Sequence, residues 1–385
     1  MGTTCDVPRL LAAARRDQHR SLKLLADLVH IESPSHDKIA VNTAVSWVMS
    51  TAKAAGWRVR RHQQKAYGDC LELRIGPQRS SRKPLLLLGH LDTVWPKGTL
   101  ATMPFKVEKK RVWGPGVLDM KAGVVIGLEA VRLLREQGAI ARPVCMLLVG
   151  DEEIGSTASR PLTEKIAQQC TAVYVLEPAQ GLAGAYKTAR KGVGQYRLQV
   201  EGVASHSGVD FERGHSAIVE LARQIEAINN LVEPDRGLTL NPGVIGGGTL
   251  SNVVAAEAWA EIDVRIARAA DGARIDRRLR GLRPQDKACK LIWSGGMNRP
   301  PMERTRATAA LFEKARSLAA QIGLTLEEAA TGGGSDGNLT SALGVPTLDG
   351  MGAVGEGAHA RNESILLEHL AARTALLAAM LSEQG

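Results

Sequence analysis

Residues 84–95, PLLLLGHLDTVW, decide the fold: a proline, four consecutive leucines, a glycine, then a histidine and an aspartate two positions apart. A run that is apolar at every position, rather than at alternate ones, reads as a strand covered on both faces, which is how a central parallel strand is written. Its polar residues come only at the carboxyl end. The same design returns in VCMLLVGDEE (144–153) and in AVYVLEP (172–178). Open α/β sheets gather their binding groups along the rim formed by strand carboxyl ends, so three such strands predict a site on that rim.

Outward from these strands, apolar residues at three-to-four spacing predict helices over 9–29, 37–55 and 121–137, and residues 71–75 alternate as a strand. From about residue 188 the texture changes to alternating segments at 194–203 and 256–266, with helices over 216–230 and 271–280. This predicts a small α+β domain inserted in the larger one. The turn-forming RPPM (299–302) returns the chain to a helix over 305–322, the glycine loop TGGGSDGN (331–338), a short strand near Val345 and a last helix from Ile365. The expected fold class is therefore α/β: a catalytic domain, 1–187 with 301–385, built on a central, mostly parallel sheet flanked by helices, plus an inserted domain, 188–300.

A chain of 385 residues buries a sizeable core and fits two domains. Basic residues exceed acidic ones by nine, with a dense run at Arg274, Arg277, Arg278, Arg280, Arg283 and Lys287. A nucleic-acid surface interleaves such residues with stacking aromatics; this run has none, so a solvated face is expected and no nucleic-acid partner. The charge suits steering of small anionic substrates. Five cysteines, odd in number and never in a CxxC pair, predict free thiols in a reducing compartment. Neither a signal-peptide core nor eighteen consecutive apolar residues occurs, so the expectation is a cytoplasmic chain without a membrane span, or a periplasmic one whose leader has been removed.

Each polar residue of the rim has an ordinary reading by itself. His90 and Asp92 suit a buried histidine with a hydrogen-bonded carboxylate, Asp119 in GPGVLDMKAG (114–123) a helix N-cap, Glu152 and Glu153 a solvated strand end, Glu177 the same, and His359 in GEGAHARNES (355–364) a loop. Together they fall at strand ends or glycine-rich loops, where side chains converge. A pair of zinc ions wants this mix of imidazole and carboxylate, with one carboxylate bridging and a position open for water. Adjacent glutamates on an extended segment point to opposite sides, so one can bind metal while the other serves as general base. Asp92 can bond the His90 imidazole and fix its tautomer.

GHLDTV, GPGVLDMKAG, GDEEIGS, LEP, ASHSG (204–208), TGGGSD and GEGAHARNE, in this order over nearly the whole chain, resemble the dinuclear zinc family of bacterial glutamate carboxypeptidase, acetylornithine deacetylase and succinyl-diaminopimelate desuccinylase. The resemblance implies a zinc-peptidase-like catalytic domain and an inserted dimerisation, or lid, domain. It assigns His90, Asp119 and Glu177 to one zinc and Asp119, Glu153 and His359 to the other, with Asp119 bridging, Glu152 as the base and a cis peptide after Asp119. Two zinc ions per subunit are implied, with cobalt or manganese as substitutes. His206 matches the histidine that balances the oxyanion in the partner subunit's site, which implies a homodimer. Asn252, Arg265 and Gly334 match substrate-contacting positions. TVWPKGTLATMPFKVE (93–108), the TGGG loop and NRPPM (298–302) resemble the folate-cleaving type, where Arg299 would hold the substrate carboxylate; Met120 differs, standing where that type has a second aspartate. The implied activity is release of a C-terminal amino acid, glutamate favoured, from a small N-acyl, dipeptide-like or folate-like substrate. The alternative is an N-acyl amino acid deacylase.

Overall fold

The four leucines at 85–88 lie in the strand Leu85–His90, which is buried at every position, in a computed structural model that describes residues 6–77 and 79–382. Leu85 and Leu87 pack into one apolar cluster with Val124, Val125 and Leu128, while Leu86 and Leu88 pack into another with Leu147, Ile166 and Val173. Both faces of the strand are thus covered. Burial of each leucine contributes ~1.5–3 kcal/mol, and truncating one to alanine costs ~2–5 kcal/mol.

The chain divides into two compact units, Met1–Ala189 with Arg304–Thr331 and Ser335–Gly385, and Arg190–Glu303 with Gly332–Gly334. The larger unit holds a mainly parallel sheet in the order Arg58–His62, Cys70–Ile75, Val144–Val149, Leu85–His90, Ala172–Val175, Thr347–Leu348. Strand 85–90 lies parallel to both its neighbours, and within this sheet only Cys70–Ile75 runs opposite to the others. Helix Ala122–Glu136 starts against the end of the Ala172–Val175 strand; a Cβ on Gly123 would stand 2.0 Å from the Leu176 carbonyl oxygen, so only glycine permits the approach.

The smaller unit is a four-stranded antiparallel sheet in the order Thr239–Gly247, Glu257–Ile266, Gly192–Glu201, Lys290–Arg299. Alternation on the two central strands buries Tyr196, Leu198, Val200, Ala260, Ile262 and Val264 in one core with Leu221, Ile228, Ile275 and Leu279 from helices Ala217–Asn229 and Ala269–Arg280.

Several features differ from the sequence reading, including helices Arg160–Ala167 and Asp336–Ala342, which it did not give. Residues 9–29 form two helices, Val7–Arg16 and Gln18–Val29, because Asp17 leaves helical geometry while its carboxylate binds Arg16 and Arg132. The strand Ser364–Leu366 precedes the last helix, which starts at Leu367. The strand near Val345 is Thr347–Leu348. Two further strands, Thr239–Gly247 and Lys290–Arg299, flank the small sheet; each is largely uncovered and carries a register shift, so neither shows a clean period of two.

Cys70, Cys145, Cys170 and Cys289 are free and buried, and Cys5 lies outside the described residues. Burial pushes the Cys70 thiol up to about 12, which leaves it inert at neutral pH. Among the described residues no helix is long and apolar enough to cross a membrane. The basic run is met by acids: Glu233 accepts from Arg274 at 2.7 and 2.8 Å and from Arg278 at 2.9 Å, and Asp276 accepts from Arg280 at 3.0 Å.

Candidate metal centre

Each strand of the predicted rim ends at a polar side chain. His90 closes Leu85–His90, Glu152 and Glu153 follow Val144–Val149, and Glu177 follows Ala172–Val175. Two loops bring the remaining groups, Asp119 ahead of helix Ala122–Glu136 and His359 ahead of strand Ser364–Leu366. The Asp119–Met120 peptide is cis. Asp119 is not the cap of the helix that follows, which has no side-chain cap. The Met120 sulfur instead accepts the His90 backbone N–H at 3.2 Å, packing the residue after Asp119 under the histidine.

Asp119 is shared. Its Oδ1 lies 3.2 Å from His90 Nε2, with Glu177 Oε1 3.6 Å from the same nitrogen. Its Oδ2 lies 3.4 Å from His359 Nε2, with Glu153 Oε2 at 3.2 Å. Two tripods therefore meet at one carboxylate. These separations are long for hydrogen bonds, yet they suit ligands around a tetrahedral ion: bonds of ~2.0–2.2 Å place neighbouring ligand atoms ~3.4 Å apart. Glu153 Oε1 is buried without a hydrogen-bond partner among the described residues, as a donor atom meant for a cation would be. His90, Glu152 and Glu177 also offer atoms within 4.8 Å of one another, as do His90, Asp119 and Glu153, so Glu152 borders the cluster. The residues present fit two divalent ions.

The electrostatics point the same way. Asp119, then Glu153, hold the His359 imidazolium up to about 10. Burial opposes a charge on His90, but Asp119, Asp92 and Glu177 still hold its proton well above the ordinary histidine range. Burial pushes Glu153 up to about 7 against the pull of His359, whereas the two histidines overcome burial at Asp119 and keep it well below the usual carboxylate range. The cluster has more carboxylate than its own positive charge can balance.

Two expectations about supporting geometry are corrected. His90 Nδ1 meets the backbone oxygen of Asp92 at 2.9 Å, closer than that residue's carboxylate at 3.5 Å, so a main-chain acceptor holds the Nδ1–H and aims Nε2 at Asp119. The Asp92 carboxylate accepts instead from the amides of Glu152 (3.2 Å) and Glu153 (3.1 Å), and from Ser35 Oγ at 2.7 Å. The glutamates are also not extended. Glu152–Ile154 is a single 3-10 turn closed by Gly155 at φ 95°, with Asp92 taking its first amides, so the side chains diverge by about a third of a turn rather than a half. Ser35 was invisible to sequence reading, since nothing marks one serine in a loop.

In the smaller unit, His206 and Asn252 lie on facing segments: the Ser207 amide donates to Asn252 O and the Val254 amide to Ser205 O. The Gly208 amide donates to His206 Nδ1 at 3.1 Å, so the exposed ring carries its proton on Nε2. Arg265 forms a two-pronged pair with Asp263 and reaches Gly332 O at 3.2 Å. Arg299 is buried against Gly334, where a Cβ would approach its Cδ to 3.2 Å. Arg190 donates to the carbonyls of Gly333 and Gly334 at 3.2 Å each.

Residues 86–383 match peptidase family M20/M25/M40. Carboxypeptidase G2 from a Pseudomonas species, strain RS-16, is 31% identical over 358 residues, which is 91% of this chain and 85% of that protein. Among solved structures, aminopeptidase PepT from Bacillus cereus superposes with a TM-score of 0.82 at 22% identity, covering 95% of this chain and 98% of that one. A dinuclear metal-binding peptidase of the M20 family from Bacillus subtilis superposes with a TM-score of 0.70 at 14% identity, covering 96% and 98%. At these identities the two structures bear on the fold alone.

Proposed function

The chain belongs to peptidase family M20/M25/M40 and is a hydrolase of the metallopeptidase class, and on that premise we propose that it releases a C-terminal amino acid, glutamate above others, from a small N-acyl or folate-like substrate. The observation that carries this reading is the pair of tripods sharing Asp119, with Glu152 at their border. His90, Asp119 and Glu177 would hold one zinc and Asp119, Glu153 and His359 the second, with cobalt and manganese as substitutes. Bound there, the ions would supply Lewis acidity, polarising the scissile carbonyl and making a water easier to deprotonate.

Glu152 takes a proton from that water as its oxygen adds to the carbonyl carbon. It then gives the proton to the amide nitrogen as the C–N bond breaks, and so returns to its starting state. Asp92 supports this role by gripping the amides of 152 and 153, which sets the direction in which both glutamates leave the backbone. In a homodimer, the Nε2–H of His206 would donate to the developing oxyanion. Arg299 is the favoured partner for the substrate carboxylate, because a guanidinium offers two parallel donors; Asn252, Arg265 and Gly334 are assigned to the surrounding contacts. A cavity of about 570 Å³ beside Glu153, lined in part by Pro34, Val94, Pro96 and Ile154, suits an apolar acyl group.

The test is release of free amino acid from a panel of N-acyl amino acids that includes benzoylglutamate, with zinc-loaded and chelated protein. Metal-dependent release with glutamate preferred is expected. Preference for other acyl amino acids would transfer the activity to the deacylase alternative, and hydrolysis indifferent to chelation would remove the metal centre from the reaction.

A further inference from the structure

Glu363 is fully buried, and its carboxylate accepts four hydrogen bonds. Oε2 receives the indole N–H of Trp95 at 2.7 Å and the amide of Gly116 at 2.8 Å; Oε1 receives the amides of Leu118 at 2.9 Å and Asp119 at 3.0 Å. A carboxylate has about four acceptor positions, so its capacity is filled. The antiparallel ladder pairing Ser364 with Trp113 and Ile365 with Val112 delivers the side chain to this place.

The groups in this network come from three separate stretches of the chain: Trp95 lies downstream of His90, Gly116–Asp119 presents the shared aspartate, and Glu363 itself follows His359. One carboxylate thereby ties together the stretches that follow His90, carry Asp119 and follow His359. Taking a carboxylate out of water costs several kcal/mol before compensation, and an apolar residue would leave three main-chain amides and an indole without this acceptor. Two of those amides, at Leu118 and Asp119, fix the backbone immediately before the shared side chain.

We propose that Glu363 is a positioning residue of the metal centre: by anchoring the amides of Gly116, Leu118 and Asp119, it sets the two oxygens of Asp119 toward His90 and His359. The inference rests on reading those side chains as metal ligands. Glu363→Gln is the informative substitution, because it keeps the shape but turns one acceptor into an NH2 group that faces N–H donors.

The experiment measures zinc affinity by competition with a chromophoric chelator, and the visible spectrum of the cobalt-substituted protein, alongside thermal unfolding. Glu363→Gln is expected to bind zinc ~10–100-fold more weakly, the range for groups that orient metal ligands, and to shift the cobalt spectrum. Trp95→Phe removes one of the four donors and should move both readouts the same way by less; it decides the matter if Glu363→Gln does not fold. Glu129→Gln is the control, since Glu129 is also buried in the larger unit but is held by Arg20 and Arg132. It should lower the unfolding temperature and leave zinc affinity unchanged. Wild-type affinity and an unaltered cobalt spectrum in folded Glu363→Gln, or in Trp95→Phe, would overturn the proposal whatever happens to stability. If the wild-type chain itself takes up no zinc, the ligand assignment fails, and this inference fails with it.

Discussion

The carboxyl rim of the parallel sheet and the arginine-rich helix Ala269–Arg280 of the smaller unit are both dense in charge, and they handle it in opposite ways. Along the helix, opposites are paired: Glu233 with Arg274 and Arg278, Asp271 with Arg236 and Arg274, Asp276 with Arg280. Arg274 above all holds the Glu233 carboxyl down to about 2. At the rim, like charges crowd. Asp119, Glu153 and Glu177 gather around two imidazoles, and burial pushes Glu153 up to about 7. Pairing gives a solvated face its modest stability, whereas an unbalanced cluster costs free energy and marks a functional site. Density of charge does not separate the two regions; its balance does.

The comparison can be broken at either end, and the largest effect belongs to the rim. Glu152→Gln cannot accept a proton, so kcat should fall ~10²–10⁴-fold while metal content stays at the wild-type level; unchanged turnover would strip Glu152 of its role. His206→Ala should lower kcat ~10²–10³-fold, again without metal loss, and steady-state kinetics on the best panel substrate would show whether the smaller unit takes part. Ser35→Ala deletes one support of Asp92 and should weaken metal affinity or activity ~10–100-fold, which a zinc competition assay reads directly.

A smaller effect follows from the raised imidazole. His359 is held up to about 10, so it is protonated at neutral pH, and an ion must displace that proton to reach the nitrogen. Zinc uptake in weakly buffered solution should release protons, with affinity rising ~tenfold per pH unit for each proton displaced until the pH nears 10; pH-independent binding would contradict it. The smallest change belongs to the helix. Glu233 is depressed from 4.5 to about 2 in the folded chain, so its contribution to stability is present above 4.5 and fades as pH falls from there toward 2. Glu233→Gln should flatten that part of the acid-unfolding curve slightly and leave hydrolysis untouched.

Much of the larger unit was legible because its central strands are apolar throughout and stop at polar residues, so fold and rim were read from the same letters. The residues singled out at strand ends and loops do meet in the folded chain, around His90 and Asp119. What escaped was set by main-chain geometry. The turn at Glu152–Ile154 depends on Asp92 taking two amides, and the tautomer of His90 depends on a carbonyl, neither of which has a letter of its own. Ser35 and Glu363 act across loops distant in sequence, so no local spacing reveals them. The strands Thr239–Gly247 and Lys290–Arg299 escaped for a different reason: with little of either covered, their side chains do not alternate.

Equilibrium dialysis of the protein against zinc, with the metal bound per chain counted, tests the central claim most directly. Two tripods sharing Asp119 predict two ions per wild-type chain and one in His359→Ala, which keeps the His90 tripod intact. A wild-type chain that holds none, or a His359→Ala chain that still holds two, would contradict the account.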